Sequence, residues 1–397
     1  MSVNTDSKLI EKLLSRNVEN IYPSKDFLEA KLKFGKQLTL YLGIDPTGPS
    51  LHFGHALNLM KMAEFQKLGH KIIILIGSFT AMIGDPTDKM AVRKPLTRKQ
   101  VLANAKKYKE QASTFISFSG SNKAEIKYNH KWFDKMNFQE ILDLTSNFTV
   151  QQMLERDMFD KRIKEGKPVS LHEFLYPVMQ AYDSVVMNVD GEIGGNDQTF
   201  NMLAGRTLLK SLAQKEKFVL TNKLLSDPTG KKMGKSEGNM ISLDDNATEK
   251  FGKVMSWTDG MILPALELCT YLSMDEIKDI ENKLKEGANP RDYKVKLAKE
   301  IVKIYHSEEE ANNQEQNFIN TFAKKENPDD MEEFDLTGKS IIEAMVESKM
   351  VNSNSEARRA IEQNGVSINQ EKVTDINTTV NSGDIIQKGK RHFIKIK

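Results

Sequence analysis

Apolar residues recur along this chain in rhythms that change from segment to segment. From Ser7 to Lys33, Leu9, Ile10, Leu13 and Leu14 fall on one helical face and predict a mostly helical lead-in. Leu38, Leu40, Leu42 and Ile44 then form a strand that stops at the turn Asp45-Pro-Thr-Gly48, and helical spacing resumes from Ala56 to Leu68. Lys71–Ile76, Lys-Ile-Ile-Ile-Leu-Ile, shows no alternation at all. That is the pattern of a strand covered on both faces, as in a parallel sheet. Residues 38–76 therefore read as a strand–helix–strand unit. Thr97–Phe118 has the pattern of a long amphipathic helix, Ile126–Trp132 that of a further strand, and Phe138–Lys164 that of an inserted helical hairpin.

The polar residues that interrupt these runs carry the chemistry. A strand that turns into a helix at its carboxyl end is where a doubly wound sheet meets nucleotides. His52-Phe-Gly-His55 opens that helix. The two histidines lie on one side of its first turn, where free amides and the dipole favour phosphate, and Gly54 leaves room for a ligand. Two capping histidines would give the same spacing. The loop Gly77–Lys89 follows the second strand and contains Asp85, with Arg93 beyond it. Tyr176, Gln180 and Asp183 stand at i, i+4 and i+7 of a helix running to Asp183, a face too polar for an ordinary core stripe. Met187–Ile193 reads as a short strand entering Gly194-Gly-Asn-Asp-Gln198, where glycines permit close backbone approach and an acid suits ribose hydroxyls. Thr229–Gly238 is a glycine- and lysine-rich loop without P-loop spacing.

Residues 248–323 are helical throughout and predict a separate helical domain, and the charged stretch 324–338 reads as a linker. Residues 339–397 form a small α+β module with a basic face, including Arg358, Arg359, Lys388, Lys390 and Arg391. Such a face suits structured RNA gripped by its backbone.

Net charge changes little, because 57 basic and 55 acidic residues leave only +2, so any nucleic-acid surface must be local. A single cysteine, Cys269, rules out an internal disulfide and argues against a cysteine-based zinc site. No apolar run is long enough for a membrane span and the N-terminus lacks a signal-peptide pattern, so a cytoplasmic location is expected.

Taken together and in order, these motifs resemble the bacterial tyrosyl-tRNA synthetases over nearly the whole chain. His52-Phe-Gly-His55 matches the family's first signature and Lys232-Met-Gly-Lys-Ser236 its second, and the tail resembles an S4 RNA-binding domain. The resemblance implies a Rossmann-like catalytic domain (residues 1–228, with an insertion at about 125–170 that carries a dimer contact). It further implies a mobile loop (229–247), a helical anticodon-binding domain (248–323), a linker and an S4-like domain (339–397).

It also implies roles. Tyr41 and Asp183 would bond the phenol of L-tyrosine. Asp85, Tyr176 and Gln180 would hold its ammonium, Gln198 would lie by its carboxylate, and Asp45 would order the pocket floor. Gly195 and Asp197 would take the ribose of ATP, with Gly54 and His55 nearby. Thr47, His52, Lys89, Arg93, Lys232, Lys235 and Ser236 would meet the phosphates, with Mg2+ carried by the phosphates and no metal site on the protein. The implied partners are tRNA(Tyr) and a second copy of the chain. A site built to bond a hydroxyl rejects the analogue lacking it, so no editing domain is expected.

Three positions depart from the family pattern. Gly234 stands where serine is commoner, Phe53 replaces isoleucine, and Leu42 removes a side-chain ribose contact. A tryptophanyl-type enzyme fits less well, since an indole N–H only donates. A non-catalytic paralogue would not need the intact His52, His55, Lys232 and Lys235, and a nucleotidyltransferase outside translation would not need the helical domain and tail.

Overall fold

A computed structural model describes residues 3–85, 96–154, 157–226, 240–323, 331–389 and 392–397. Contacts divide the chain into two compact units, Met1–Tyr305 and His306–Lys397.

The first unit is built on a six-stranded sheet: β1 (Val18–Tyr22), β2 (Thr39–Ile44), β3 (Lys71–Ile76), β4 (Glu125–Tyr128), β5 (Gly191–Gly195) and β6 (Phe218–Asn222). The spatial order is β1-β6-β5-β2-β3-β4. All neighbours run parallel except the edge strand β1, which is antiparallel to β6. Strand order reverses between β2 and β5, so the carboxyl ends of these two strands flank a crevice, the usual ligand position in such sheets. Ile72–Ile76 are each at most 2% exposed, the burial that the unbroken apolar run requires. The expected Rossmann-like α/β architecture with a small C-terminal sheet is thus present.

Several boundaries differ from those read in the sequence. The lead-in is not all helical: helices Ser7–Ser15 and Lys25–Lys33 flank β1. The segment 97–118 is no single helix but breaks at residues 105–107. Its second half is pinned to the turn after β2, Tyr108 donating to the Gly48 carbonyl at 2.6 Å and the Leu51 amide to Gln111 at 2.8 Å. The strand expected over 126–132 ends at Tyr128, and Trp132 lies in the short helix His130–Phe133. The helix bearing Tyr176 runs from Leu171 to Met187 and stops where Asn188 takes a left-handed conformation (φ 46°).

Helices Ala247–Met255, Ile262–Cys269, Met274–Lys285 and Pro290–Tyr305 complete this unit. The Arg16 guanidinium fastens them to its amino-terminal part by donating to the carbonyls of Glu267, Thr270 and Leu272.

The second unit comprises helix Glu308–Ala323 and a small domain. In that domain the sheet β7 (Glu332–Phe334), β8 (Val366–Ile368), β9 (Glu371–Lys372), β10 (Ile385–Lys388) and β11 (His392–Ile396) has the order β7-β11-β10-β8-β9. Helices Ile341–Glu347 and Asn354–Glu362 close over a core that includes Ile341, Met345, Ile361, Val366 and Ile386.

Candidate active site

The crevice is lined from β2, from the loop after β3, from helix Leu171–Met187 and from the end of β5. Tyr41 sits in mid-β2 with no exposed surface, and its hydroxyl lies 3.1 Å from Ser184 Oγ. Asp183, the residue before Ser184, is 2% exposed. Its charge acts on the Tyr41 hydroxyl, which puts the two side chains on one wall. Trp132 Nε1 donates to Asp183 Oδ1 at 2.9 Å and Asn129 Nδ2 to its Oδ2 at 3.4 Å. Burial nonetheless holds the Asp183 carboxyl well above the usual range, with the charges of Glu192 and Asp45 adding to it.

Asp45 closes β2 and accepts from Thr80 Oγ1 at 2.7 Å and from the Tyr176 hydroxyl at 2.9 Å. Burial outweighs both bonds and pushes its carboxyl up to about 7. A glycine is required opposite it: a Cβ on Gly77 would stand 1.8 Å from Asp45 Oδ1. Asn129 Nδ2 also donates to Thr80 Oγ1 at 3.1 Å. One polar chain thus runs Tyr176–Asp45–Thr80–Asn129–Asp183. Gln180, one turn before Asp183, donates to Glu192 Oε1 at 2.9 Å. Gln198 donates to Asp85 Oδ2 at 2.6 Å, joining the ends of the β3 and β5 segments.

On the other side of the β2 turn, His52 caps helix Phe53–Lys67. Its Nδ1 accepts from the Gly54 amide at 3.1 Å, while its own amide donates to His55 Nδ1 at 3.2 Å. The rings lie 4.0 Å apart, so capping and pairing of the histidines occur together. A Cβ on Gly54 would meet the His52 ring at 3.0 Å. His52 also bridges to Ser242, with Phe53 N bonded to Ile241 O at 3.1 Å and Leu243 N to Leu51 O at 2.8 Å. The chain leaving the lysine-rich loop is thereby fastened to the histidine turn. Phe53 stacks on Tyr305 at 5.3 Å and meets the edge of Trp257 at 6.3 Å, which gives its departure from isoleucine a packing role. Leu42 is buried in β2, and the Thr47 amide donates to the Asp45 carbonyl at 2.8 Å in the turn. Gly195 ends β5, where a Cβ would stand 2.6 Å from the exposed Asp197 carboxylate.

Lys89, Arg93, Lys232, Gly234, Lys235, Ser236, Lys390 and Arg391 lie outside the described residues. In the small domain Arg358 and Arg359 are exposed on helix Asn354–Glu362, whereas Lys388 is half-buried, bonded to Glu356 at 3.0 Å and to the Met350 carbonyl at 3.1 Å. The sequence reading missed Thr80, Asn129, Trp132, Ser184 and Glu192. Only Ser184, adjacent to Asp183, carried a local signal.

A family model described as tRNA synthetases class I (W and Y) matches residues 33–323. A second, for the tyrosine–tRNA ligase SYY-like C-terminal domain, matches 324–396. The tyrosine–tRNA ligase of Haemophilus ducreyi is 44% identical over 386 residues, 96% of each chain. Tyrosine–tRNA ligase 2 of Clostridium acetobutylicum is 43% identical over 400 residues, 99% of each. Among solved structures, a C-terminally truncated mitochondrial tyrosyl-tRNA synthetase of Aspergillus nidulans superposes with a TM-score of 0.65 at 24% identity, covering 79% of this chain and 94% of that one. At that identity the likeness bears on the fold alone.

Proposed function

Because the chain belongs to the class I tRNA synthetases (W and Y), we infer from its pocket and its near-full-length relatives that it is a tyrosine–tRNA ligase. It activates L-tyrosine with ATP to tyrosyl-adenylate and pyrophosphate, and then transfers the tyrosyl group to the 3′ end of tRNA(Tyr). The observation that carries the choice of tyrosine is the buried wall where Asp183, held by Trp132 and Asn129, adjoins the Tyr41 hydroxyl. A phenol can donate to a carboxylate and accept from a tyrosine hydroxyl at once, whereas an indole N–H can only donate.

In this reading Asp45 fixes Tyr176, and Gln180, Tyr176 and Asp85 receive the substrate ammonium. Gln198, tied to Asp85, lies by the carboxylate. That carboxylate attacks the α-phosphorus of ATP and needs no protein base, being already anionic, so the catalytic task is alignment and stabilisation of phosphate charge. Gly54, Gly195 and Asp197 admit the nucleoside. His55 lies by its ribose, and Thr47, His52, Lys89, Arg93, Lys232, Lys235 and Ser236 face its phosphates. Support for the lysines' placement comes from Ser242, six residues after Ser236, being bridged to His52. Mg2+ bound to ATP supplies further charge neutralisation.

Arg358, Arg359, Lys390 and Arg391 form the RNA-facing set of an S4-like domain, after the helical anticodon-binding segment 248–323, while Lys388 is tied to Glu356. Two copies pair through the 125–170 insertion, a reading supported by Phe138 at 73% and Val150 at 68% exposure. No helix among the described residues is long and apolar enough to cross a membrane. We place the enzyme in the cytoplasm with its tRNA. The deciding experiment is ATP–pyrophosphate exchange with each of the twenty amino acids. Tyrosine alone should support it, and exchange with tryptophan only, or with none, would end this reading.

A further inference from the structure

Behind the Tyr41–Asp183 wall lies a second polar group that the reaction scheme does not use. Lys217, with no exposed side-chain surface, and Glu192, 2% exposed, form an ion pair between the β5 and β6 segments. Lys217 Nζ also donates to Ser184 Oγ at 2.8 Å and stands 5.7 Å from the centre of the Tyr41 ring. Gly205 keeps this space open: a Cβ there would be 2.6 Å from Lys217 Nζ and 2.9 Å from Ser184 Oγ. Removing one partner of such a pair is costly, yet apolar side chains of similar volume often hold two strands together at least as well. The pair therefore calls for a reason other than stability.

Hydrogen-bond polarity supplies one. An ammonium only donates, so Ser184 Oγ must accept from Lys217. Serine has a single proton, and the other partner of Ser184 Oγ is the Tyr41 hydroxyl at 3.1 Å. Ser184 therefore donates to Tyr41, and the Tyr41 hydroxyl itself bonds Glu192. The Glu192 oxygens also accept from Gln180 and Lys217. A lysine-paired carboxylate only accepts, so Gln180 must turn its NH2 to Glu192, which leaves its carbonyl oxygen on the opposite side of the amide.

We propose that the buried Glu192–Lys217 pair is a positioning element that sets one substrate contact, making Gln180 an acceptor. The Gln180 carbonyl oxygen meets the substrate ammonium. This rests on the tyrosine–tRNA ligase reading, in which Gln180 faces the substrate.

The test is pyrophosphate exchange by the full-length protein with tyrosine and with phenylalanine, resolved into kcat and KM. Tyrosine-dependent exchange by the unmodified protein must come first, since its absence would sink the functional reading itself. Gln180→Ala should raise KM for both amino acids by about tenfold, with KM for ATP unchanged. The paired variant Glu192→Gln with Lys217→Met removes both charges without leaving one unpaired. It should raise KM for both amino acids while Gln180 is present, as that side chain loses its fixed orientation, and raise it no further in a Gln180→Ala background. An unchanged KM in the paired variant, or losses that multiply with those of Gln180→Ala, would overturn the proposal.

Discussion

Trp132 Nε1 and Asp183 Oδ1 are 2.9 Å apart, although one belongs to the short helix after β4 and the other to helix Leu171–Met187. With the Asn129 amide, this bond leaves Asp183 oriented as an acceptor on a wall that excludes water. Asp183→Asn replaces one acceptor oxygen by a donor that would confront Trp132, Asn129 or the substrate phenol. The ratio of kcat/KM for tyrosine over phenylalanine should fall by roughly ten- to a hundredfold, the cost of leaving a buried polar group unpaired. Pyrophosphate exchange with both amino acids measures it, and an unchanged ratio would remove Asp183 from the phenol contact.

Asp45 makes stability depend on pH in an unusual direction. Burial raises its carboxyl from an ordinary 3.8 to about 7 in the fold. A raised carboxyl pKa favours the folded state while the group is protonated, so this contribution is whole below about 4 and is lost as pH rises towards 7. The loss is about 1.4 kcal/mol per pH unit in that window. Asp45→Asn cannot ionise. Its melting temperature should fall less than that of the unmodified protein between pH 5 and pH 7.5, which calorimetry at matched ionic strength would show. Parallel profiles would mean that Asp45 titrates normally.

Gly77 is where backbone and carboxylate come closest. The Cβ of Gly77→Ala would stand 1.8 Å from Asp45 Oδ1 and 2.5 Å from Thr80 Oγ1, so Asp45 must leave both Thr80 and its place beneath Tyr176. Overpacking of this kind costs about 1–3 kcal/mol. The expected outcome is a lower melting temperature and a raised KM for tyrosine with KM for ATP little changed. A variant with normal KM for tyrosine would show that Asp45 does not shape the pocket.

How far residues can be read without coordinates depends on where their partners lie in the chain. Lys71–Ile76 is legible because burial on both faces removes every polar position. β1 is not, because Val-Glu-Asn-Ile-Tyr is an edge strand, paired on one side only and half exposed. Tyr176, Gln180 and Asp183 announce themselves because three polar residues at helical spacing share one face. Their partners Asn129, Trp132 and Glu192 come from other elements, and nothing in the local pattern around them marks a contact made 12 to 54 residues away. The break in the segment 97–118 is hidden for the same reason, its anchors being the Gly48 carbonyl and the Leu51 amide.

The small domain separates two kinds of basic residue that composition alone treats alike. Arg358 and Arg359 are exposed on helix Asn354–Glu362, whereas Lys388 spends its charge on Glu356 at 3.0 Å and on the Met350 carbonyl at 3.1 Å. A cation that contacts phosphate lowers the salt dependence of binding by about one unit of slope when removed. Arg358→Ala with Arg359→Ala should therefore weaken tRNA binding, flatten its salt dependence by about two units and slow tyrosyl transfer. Tyrosyl-adenylate formation should stay as it was. Lys388→Ala should instead lower the melting temperature of this domain with a smaller change in salt slope. Deletion of residues 336–397 should do to transfer what the arginine pair does, more strongly, and again spare the adenylate step. Filter binding over a salt series, set beside pyrophosphate exchange and tRNA charging, separates these outcomes. Equal loss of exchange and charging would refute the division of labour, and a slope moved more by Lys388→Ala than by the arginine pair would put the RNA-facing surface on the other side of the domain.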